Sequence, residues 1–255
     1  MKRLLLSLSV LLAGPAVASA ADLPPRAAPV LPLPAAPAVS WSGWYLGAHG
    51  AWLGDSGEAV RTDAAGVAPA ALPARAGLRA SGLGGGAQVG YLWQVGEVVA
   101  GLEADLSALD VGQGRSSLGV DGPFALRTDL SSQLRWFGTL KGRVGLVLPS
   151  LAPFVASSLV YVTGGLATAQ IEHQGAITVV PPGVGPAARR TGWRPGFVVG
   201  AGAEHRLTPS LSLTSETLYY KLADETLTLA RAGDRVGYRF KNDGWISRIG
   251  LNVRF

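Results

Sequence analysis

The chain has 255 residues, of which 48% are hydrophobic and only 15% charged, and it contains no cysteine. Disulfide scaffolds and thiol chemistry are therefore excluded. Its formal charge is +5, and removing a leader with Lys2 and Arg3 leaves +3, too little for nucleic-acid binding to be the natural reading.

Lys2 and Arg3 precede an apolar run from Leu4 to Val17, which ends on Ala18-Ser19-Ala20. This pattern is a secretory leader with a small-x-small cleavage site, too short to span a bilayer as a helix. Residues 1–20 are thus expected to be a signal peptide, cut near Ala20. Residues 21–40 hold Pro24, Pro25, Pro29, Pro32, Pro34 and Pro37. Such a segment cannot join a sheet ladder and is expected to be an extended periplasmic spacer. Residues 41–255 remain for one folded domain.

There, apolar residues recur with a period of two, which means strands with one apolar and one wet face. Trp44 to Leu53 sets Trp44, Leu46, Ala48 and Trp52 against Tyr45, Gly47 and His49. A long loop, Asp55 to Arg79, follows. Ser81 to Trp93 and Val98 to Leu109 then form a hairpin about Gln94-Val95-Gly96-Glu97, with Glu103 and Asp105 on its wet face. After a second loop, Val111 to Leu130, one strand places Leu134, Trp136, Leu140, Val144 and Leu146 opposite Gln133, Arg135, Thr139, Lys141 and Arg143. Three cations on one face are intolerable in hydrocarbon, so that face lines an interior.

A turn at Pro149 to Ala152 leads to a strand from Pro153 to Ile171, whose phase is unclear. The uncharged run Val144 to Gln170 is long enough for a spanning helix, but Pro149 and Pro153 and its Val and Thr content favour a hairpin. The third loop, His173 to Gly192, precedes the strand Trp193 to Leu207. Thr208-Pro209-Ser210 turns it into Leu211 to Leu229, and a fourth loop, Ala230 to Asp243, reaches the last strand.

In that strand Trp245, Ile249, Leu251, Val253 and Phe255 alternate with Arg248, Asn252 and Arg254. It resembles the closing strand of a bacterial outer-membrane barrel, whose terminal Phe, here Phe255, is the signal read by the barrel-assembly machinery. The expected fold is all-β, an eight-stranded antiparallel up-and-down transmembrane β-barrel with four long loops outside and three short turns in the periplasm. Trp44, Trp93, Phe154 and Phe255 would form the periplasmic girdle, and Trp52, Trp136, Trp193 and Trp245 the outer one.

Trp41-Ser42-Gly43-Trp44-Tyr45-Leu46-Gly47, Gln88-Val89-Gly90-Tyr91, Tyr161-Val162-Thr163-Gly164-Gly165-Leu166-Ala167 and the final strand together resemble the small porin-family, or outer-membrane immunogenic, proteins of alphaproteobacteria, built on an OmpA-type barrel. The resemblance implies a place in the cell outer membrane, reached through the periplasm. Such families are often labelled porins, and some members are similar to heme-binding or adhesive surface proteins.

An eight-stranded barrel has an interior that side chains fill. Glu103, Asp105, Glu204 and Glu216 are expected to face Arg135, Lys141, Arg143 and Arg248 as a lumen ion network that neutralises itself, either as a plug or as a rearrangeable gate. No enzyme and no catalytic residue is expected: His49 reads as an interior filler and His205 as a periplasmic rim residue. His173, at a loop root, could ligate heme iron, but a lone His there is more simply solvated, so no cofactor or metal is assigned. The last two loops carry the excess positive charge. Arg189, Arg190, Arg194, Arg231, Arg235, Arg239 and Lys241 would stand at the level of lipopolysaccharide phosphates.

The reading is an integral outer-membrane protein with a mainly structural, surface-exposed role and a charge-plugged interior. A porin for small solutes or ions is the alternative, and a heme-binding or adhesive surface protein the third. Expected partners are outer-membrane lipid, lipopolysaccharide and the assembly machinery, without nucleic acid; the oligomeric state is left open.

Overall fold

The computed structural model describes residues 40–66, 69–148, 157–180, 183, 185–231 and 233–255. The leader, nearly all of the spacer, the turn at 149–152 and Phe154 lie outside them.

Ten strands form in chain order: β1 (Gly43–Asp55), β2 (Glu58–Ala65), β3 (Arg75–Gly77), β4 (Ala80–Val95), β5 (Val98–Asp121), β6 (Phe124–Leu148), β7 (Ser157–Val180), β8 (Ala187–Arg206), β9 (Leu211–Arg231) and β10 (Asp234–Arg254). Eight of them, β1-β4-β5-β6-β7-β8-β9-β10, make an antiparallel ring that closes where β1 pairs with β10. The only helical piece among the described residues is a 3-10 turn, Pro69–Ala71. The expected barrel is therefore present, and the run after Val144 is a pair of strands.

The alternation works as the chemistry of lipid demands. Trp44, Leu46, Leu102, Leu140, Val162, Val199 and Leu251 point out, while Glu103, Lys141, Glu204 and Arg248 are buried inside. Outward rings fall in two bands, with Trp44, Trp93 and Phe255 toward the periplasmic turns and Trp52, Trp136, Trp193 and Trp245 toward the other end. Gly96 (φ 63°) and Gly122 (φ 57°) each take the first position of a two-residue hairpin turn that needs a left-handed backbone.

The expected long loops are corrected in kind. The stretches Val111 to Leu130, His173 to Gly192 and Ala230 to Asp243 are mostly strand: β5 pairs with β6 up to Asp121↔Phe124, β6 with β7 up to Ala125↔Val180, and β9 with β10 up to Arg231↔Asp234. The first loop contributes β2, which pairs with the outer part of β10, and β3, which pairs with β2. Beyond the membrane the ring thus opens into two facing sheets, β5-β6-β7-β8 and β9-β10-β2-β3. Leu126, Leu130 and Ile177 from one meet Ala59, Leu227, Leu229, Val236, Tyr238 and Phe240 from the other in a shared apolar core. The 3-10 turn closes one flank, so near to β5 that a Cβ on Gly119 would collide with the Ala71 carbonyl.

The phase of β6 is corrected too. A bulge between Leu134 and Trp136 inserts one residue. Leu134, expected to face lipid, is buried, whereas Arg135, expected in the lumen, is exposed and donates to Gln133 Oε1 at 3.3 Å.

Candidate functional site: the lumen

Because inward residues recur every second position on each strand, the ring stacks them in layers. The layer nearest the periplasm is aromatic. Trp41 is fully buried, donates from Nε1 to Ser157 Oγ at 3.1 Å, and lies between the guanidinium groups of Arg206 and Arg254, 4.5 and 4.8 Å from its ring centre. Tyr45 and Tyr161 pack with it.

The charged layer follows. Arg143 donates to Glu204 Oε2 at 3.1 Å and to Tyr45 Oη at 2.6 Å, and it also pairs with Glu103; Tyr45 Oη in turn donates to Glu103 Oε2 at 2.5 Å. Lys141 reaches Glu216 at 2.5 Å, Glu103 at 2.9 Å and Asp105 at 3.6 Å. Arg248 lies 2.9 Å from Asp105, which also accepts from Thr139. Glu204 Oε1 accepts from Arg254 at 3.0 Å and from Ser212 at 2.5 Å. A neutral chain runs beside these ions: His49 bonds Gln88 at 2.7 Å and Ser107 at 2.9 Å, and Gln88 donates to Asn252 Oδ1 at 2.6 Å. Above the ions sits an apolar layer with Leu53, Phe137, Leu218, Tyr220 and Ile246.

Seven of the eight residues assigned to the network are thus brought together: Glu103, Asp105, Lys141, Arg143, Glu204, Glu216 and Arg248. Arg135 is not, and Arg254 takes its place, so four carboxylates still meet four cations. Sequence reasoning passed over Arg254 although it shares the even positions of β10 with Arg248 and Asn252, and that parity was signal enough. Trp41 was quoted only as part of a motif.

The outer basic residues are largely engaged with carboxylates. Arg189 pairs with Glu172 at 2.7 Å, Arg190 with Glu225 at 3.1 Å, Arg194 also with Glu225, Arg235 with Asp63 at 3.8 Å and Lys241 with Glu58 at 3.5 Å. Arg239 is exposed, and the side chain of Arg231 lies outside the described set. Hydrogen bonds from Arg189, then Gln174, hold the Glu172 carboxyl below the usual range. His205 bonds Ser158 at 2.9 Å. His173, expected to be solvated, is completely buried in the outer sandwich and stacked at 4.3 Å on Phe240; burial first, and Arg194 second, push its pKa down to about 4. No cluster of three or more candidate metal ligands occurs among the described residues.

Comparison with known proteins places this geometry. The chain is 28% identical over 232 residues to the 31 kDa outer-membrane immunogenic protein of Brucella melitensis, covering 91% of this chain and 88% of that protein. It is likewise 28% identical over 223 residues to a 22 kDa outer membrane protein of Rhizobium leguminosarum, covering 87% and 82%. Among solved structures, OprG from Pseudomonas aeruginosa overlays with a TM-score of 0.49 at 14% identity, covering 84% of this chain and 96% of that one. A family model for the outer membrane protein beta-barrel domain matches residues 26–240, and the chain belongs to that family, as a barrel of the outer membrane.

Proposed function

We propose that the protein is a structural, surface-exposed component of the outer membrane whose lumen is closed by its own side chains, and that it carries out no catalysis. The observation that supports this most is the balance of the charged layer. Each of the four carboxylates is within 3.1 Å of a guanidinium or ammonium group, between an aromatic layer below and an apolar one above. A solute crossing the lumen would have to part charges that are buried and ion-paired, and stranding one costs about 3–5 kcal/mol. The histidines fit the non-catalytic part: His49 is held in the lumen by Gln88 and Ser107, and His205 is bonded to Ser158 at the periplasmic rim.

The test is single-channel recording in a planar bilayer, on protein whose unboiled gel band runs faster than the boiled one. A silent membrane is expected. Reproducible current steps that change on replacing Arg143 or Glu103 would make the protein a porin with an ion-pair gate instead.

A further inference from the structure

The outer sheet β5-β6-β7-β8 has a second face, turned away from the apolar core. Leu130 and Ile177 point into that core, so the residues alternating with them point outward. Register sets these in rows across the four strands. Gly114, Ser131, Gln174 and Arg189 make one row, and Ser116, Asp129, Ala176 and Ala187 make the next. Both rows line a hollow of about 450 Å³, open to the exterior and within the size range of small-ligand sites. Its depth comes from Gly114, Ala176 and Ala187, which have little side chain to fill it, and neither row carries a large apolar side chain.

The polar groups around the hollow are held in place. On one side Asp129 accepts from Arg127 Nε at 3.1 Å through both carboxylate oxygens, and from Ser116. On the other, Glu172 accepts from Arg189 at 2.7 Å and from Gln174. Two guanidinium groups thus offset two carboxylates. That balance argues against a phosphate ligand, which would have to compete with Asp129 for Arg127 and with Glu172 for Arg189. Hydroxyl groups suit it instead. A hydroxyl donates to a carboxylate and accepts from a guanidinium at once, so adjacent hydroxyls on a ring match the fixed pairs without bringing charge. Lower on the same face, at headgroup level, Trp136 and Trp193 flank Gln170 and expose their rings. Such rings can take the C–H side of a sugar.

We propose that this face is a binding platform for a neutral oligosaccharide arriving from outside the cell. Its hydroxyls bond the Asp129–Arg127 and Glu172–Arg189 pairs and the side chains of Ser131 and Gln174, and its lowest unit lies against Trp136 or Trp193. Gln170 and Gln174 stand four residues apart on β7, about 13 Å along the strand, so an oligosaccharide spans the platform where a single sugar does not. The platform lies outside the barrel wall and beyond the charged layer. It therefore holds or fails independently of whether the lumen conducts.

The test places the folded full-length mature chain in phosphatidylcholine nanodiscs, which carry no sugar, and reads saturation-transfer NMR on maltotriose, cellotriose and chitotriose, with glucose monophosphate as the charged control. Wild type should pass saturation to at least one trisaccharide, and more strongly than to the phosphate. Ala187→Tyr fills the hollow from an exposed position and should abolish the signal while the unboiled band still runs fast. Asp129→Asn removes a charged acceptor and should weaken affinity by about tenfold. No transfer to any trisaccharide, or stronger transfer to glucose monophosphate, overturns the proposal. An affinity unchanged in either variant overturns it too, so the test stands even if one of them fails to fold.

Discussion

Between the two girdles the wall turns its apolar side chains outward and its carboxylates and guanidinium groups inward, whereas beyond the outer girdle the same strands turn leucines inward and arginines outward. β6 shows the change within one strand: Lys141 and Arg143 are buried below its bulge, and Leu126 and Leu130 above it. β9 repeats it, with Glu216 buried below its irregularity and Leu227 and Leu229 above. The medium outside decides which face must be apolar. It also decides which defects are tolerated: an unpaired stretch such as that beyond Gly196↔Leu222, where β8 and β9 part, would strand backbone groups in hydrocarbon, but at and above the headgroups water can reach them.

The contrast breaks most sharply at Glu204. Glu204→Ala removes the acceptor shared by Arg143, Arg254 and Ser212 and should cost about 3–5 kcal/mol, read as a lower urea midpoint for loss of the fast-migrating band. A loss no larger than that of an exposed pair would mean that water fills the lumen. Leu229→Ala empties the other kind of core and should cost about 2–4 kcal/mol. Its effect should be local, with faster proteolysis of the outer hairpins while the unboiled band still runs fast.

Acid sharpens the same distinction. In the unfolded chain His173 takes a proton near pH 6.5, but in the fold only near 4. Above 6.5 it is neutral in both states and contributes nothing. As pH falls from 6.5 to 4 the unfolded state alone gains the proton, so the outer sandwich should lose up to about 3 kcal/mol, levelling off below 4. Hydrogen exchange across that window should show the loosening, and His173→Phe should flatten it. The smallest effect is expected at the exposed Arg127–Asp129 pair, 3.1 Å apart: Arg127→Ala should shift stability by less than about 1 kcal/mol in thermal melts.

The membrane part was legible because lipid and charge are such different neighbours. Leu102 and Leu106 against Glu103 and Asp105 leave only one way to face β5. The outer part was not, since in water a strand can carry glycine, serine and aspartate as readily as a loop does, and Gly112 to Ser117 looked like one. Arg135 misled for another reason. A bulge adds a residue without marking it, and parity counted through Leu134 and Arg135 comes out inverted. The parting of β8 from β9, the place of Trp41 and the burial of His173 are products of tertiary pairing, for which no local pattern stood in the chain.

The closing pair has a consequence for how the molecule is made. Tyr45 pairs with Arg254, about two hundred residues away, while every other neighbouring pair in the ring is joined by one connection. Seven of the eight ring pairings can accumulate locally, but until the eighth forms β1 and β10 are both open edges, and the entropy of joining them falls on that single step. Assembly should therefore have one slow event, with substitutions along Tyr45 to Asp55 or Gly244 to Arg254 delaying first appearance of the fast-migrating form and those elsewhere acting mainly on its loss.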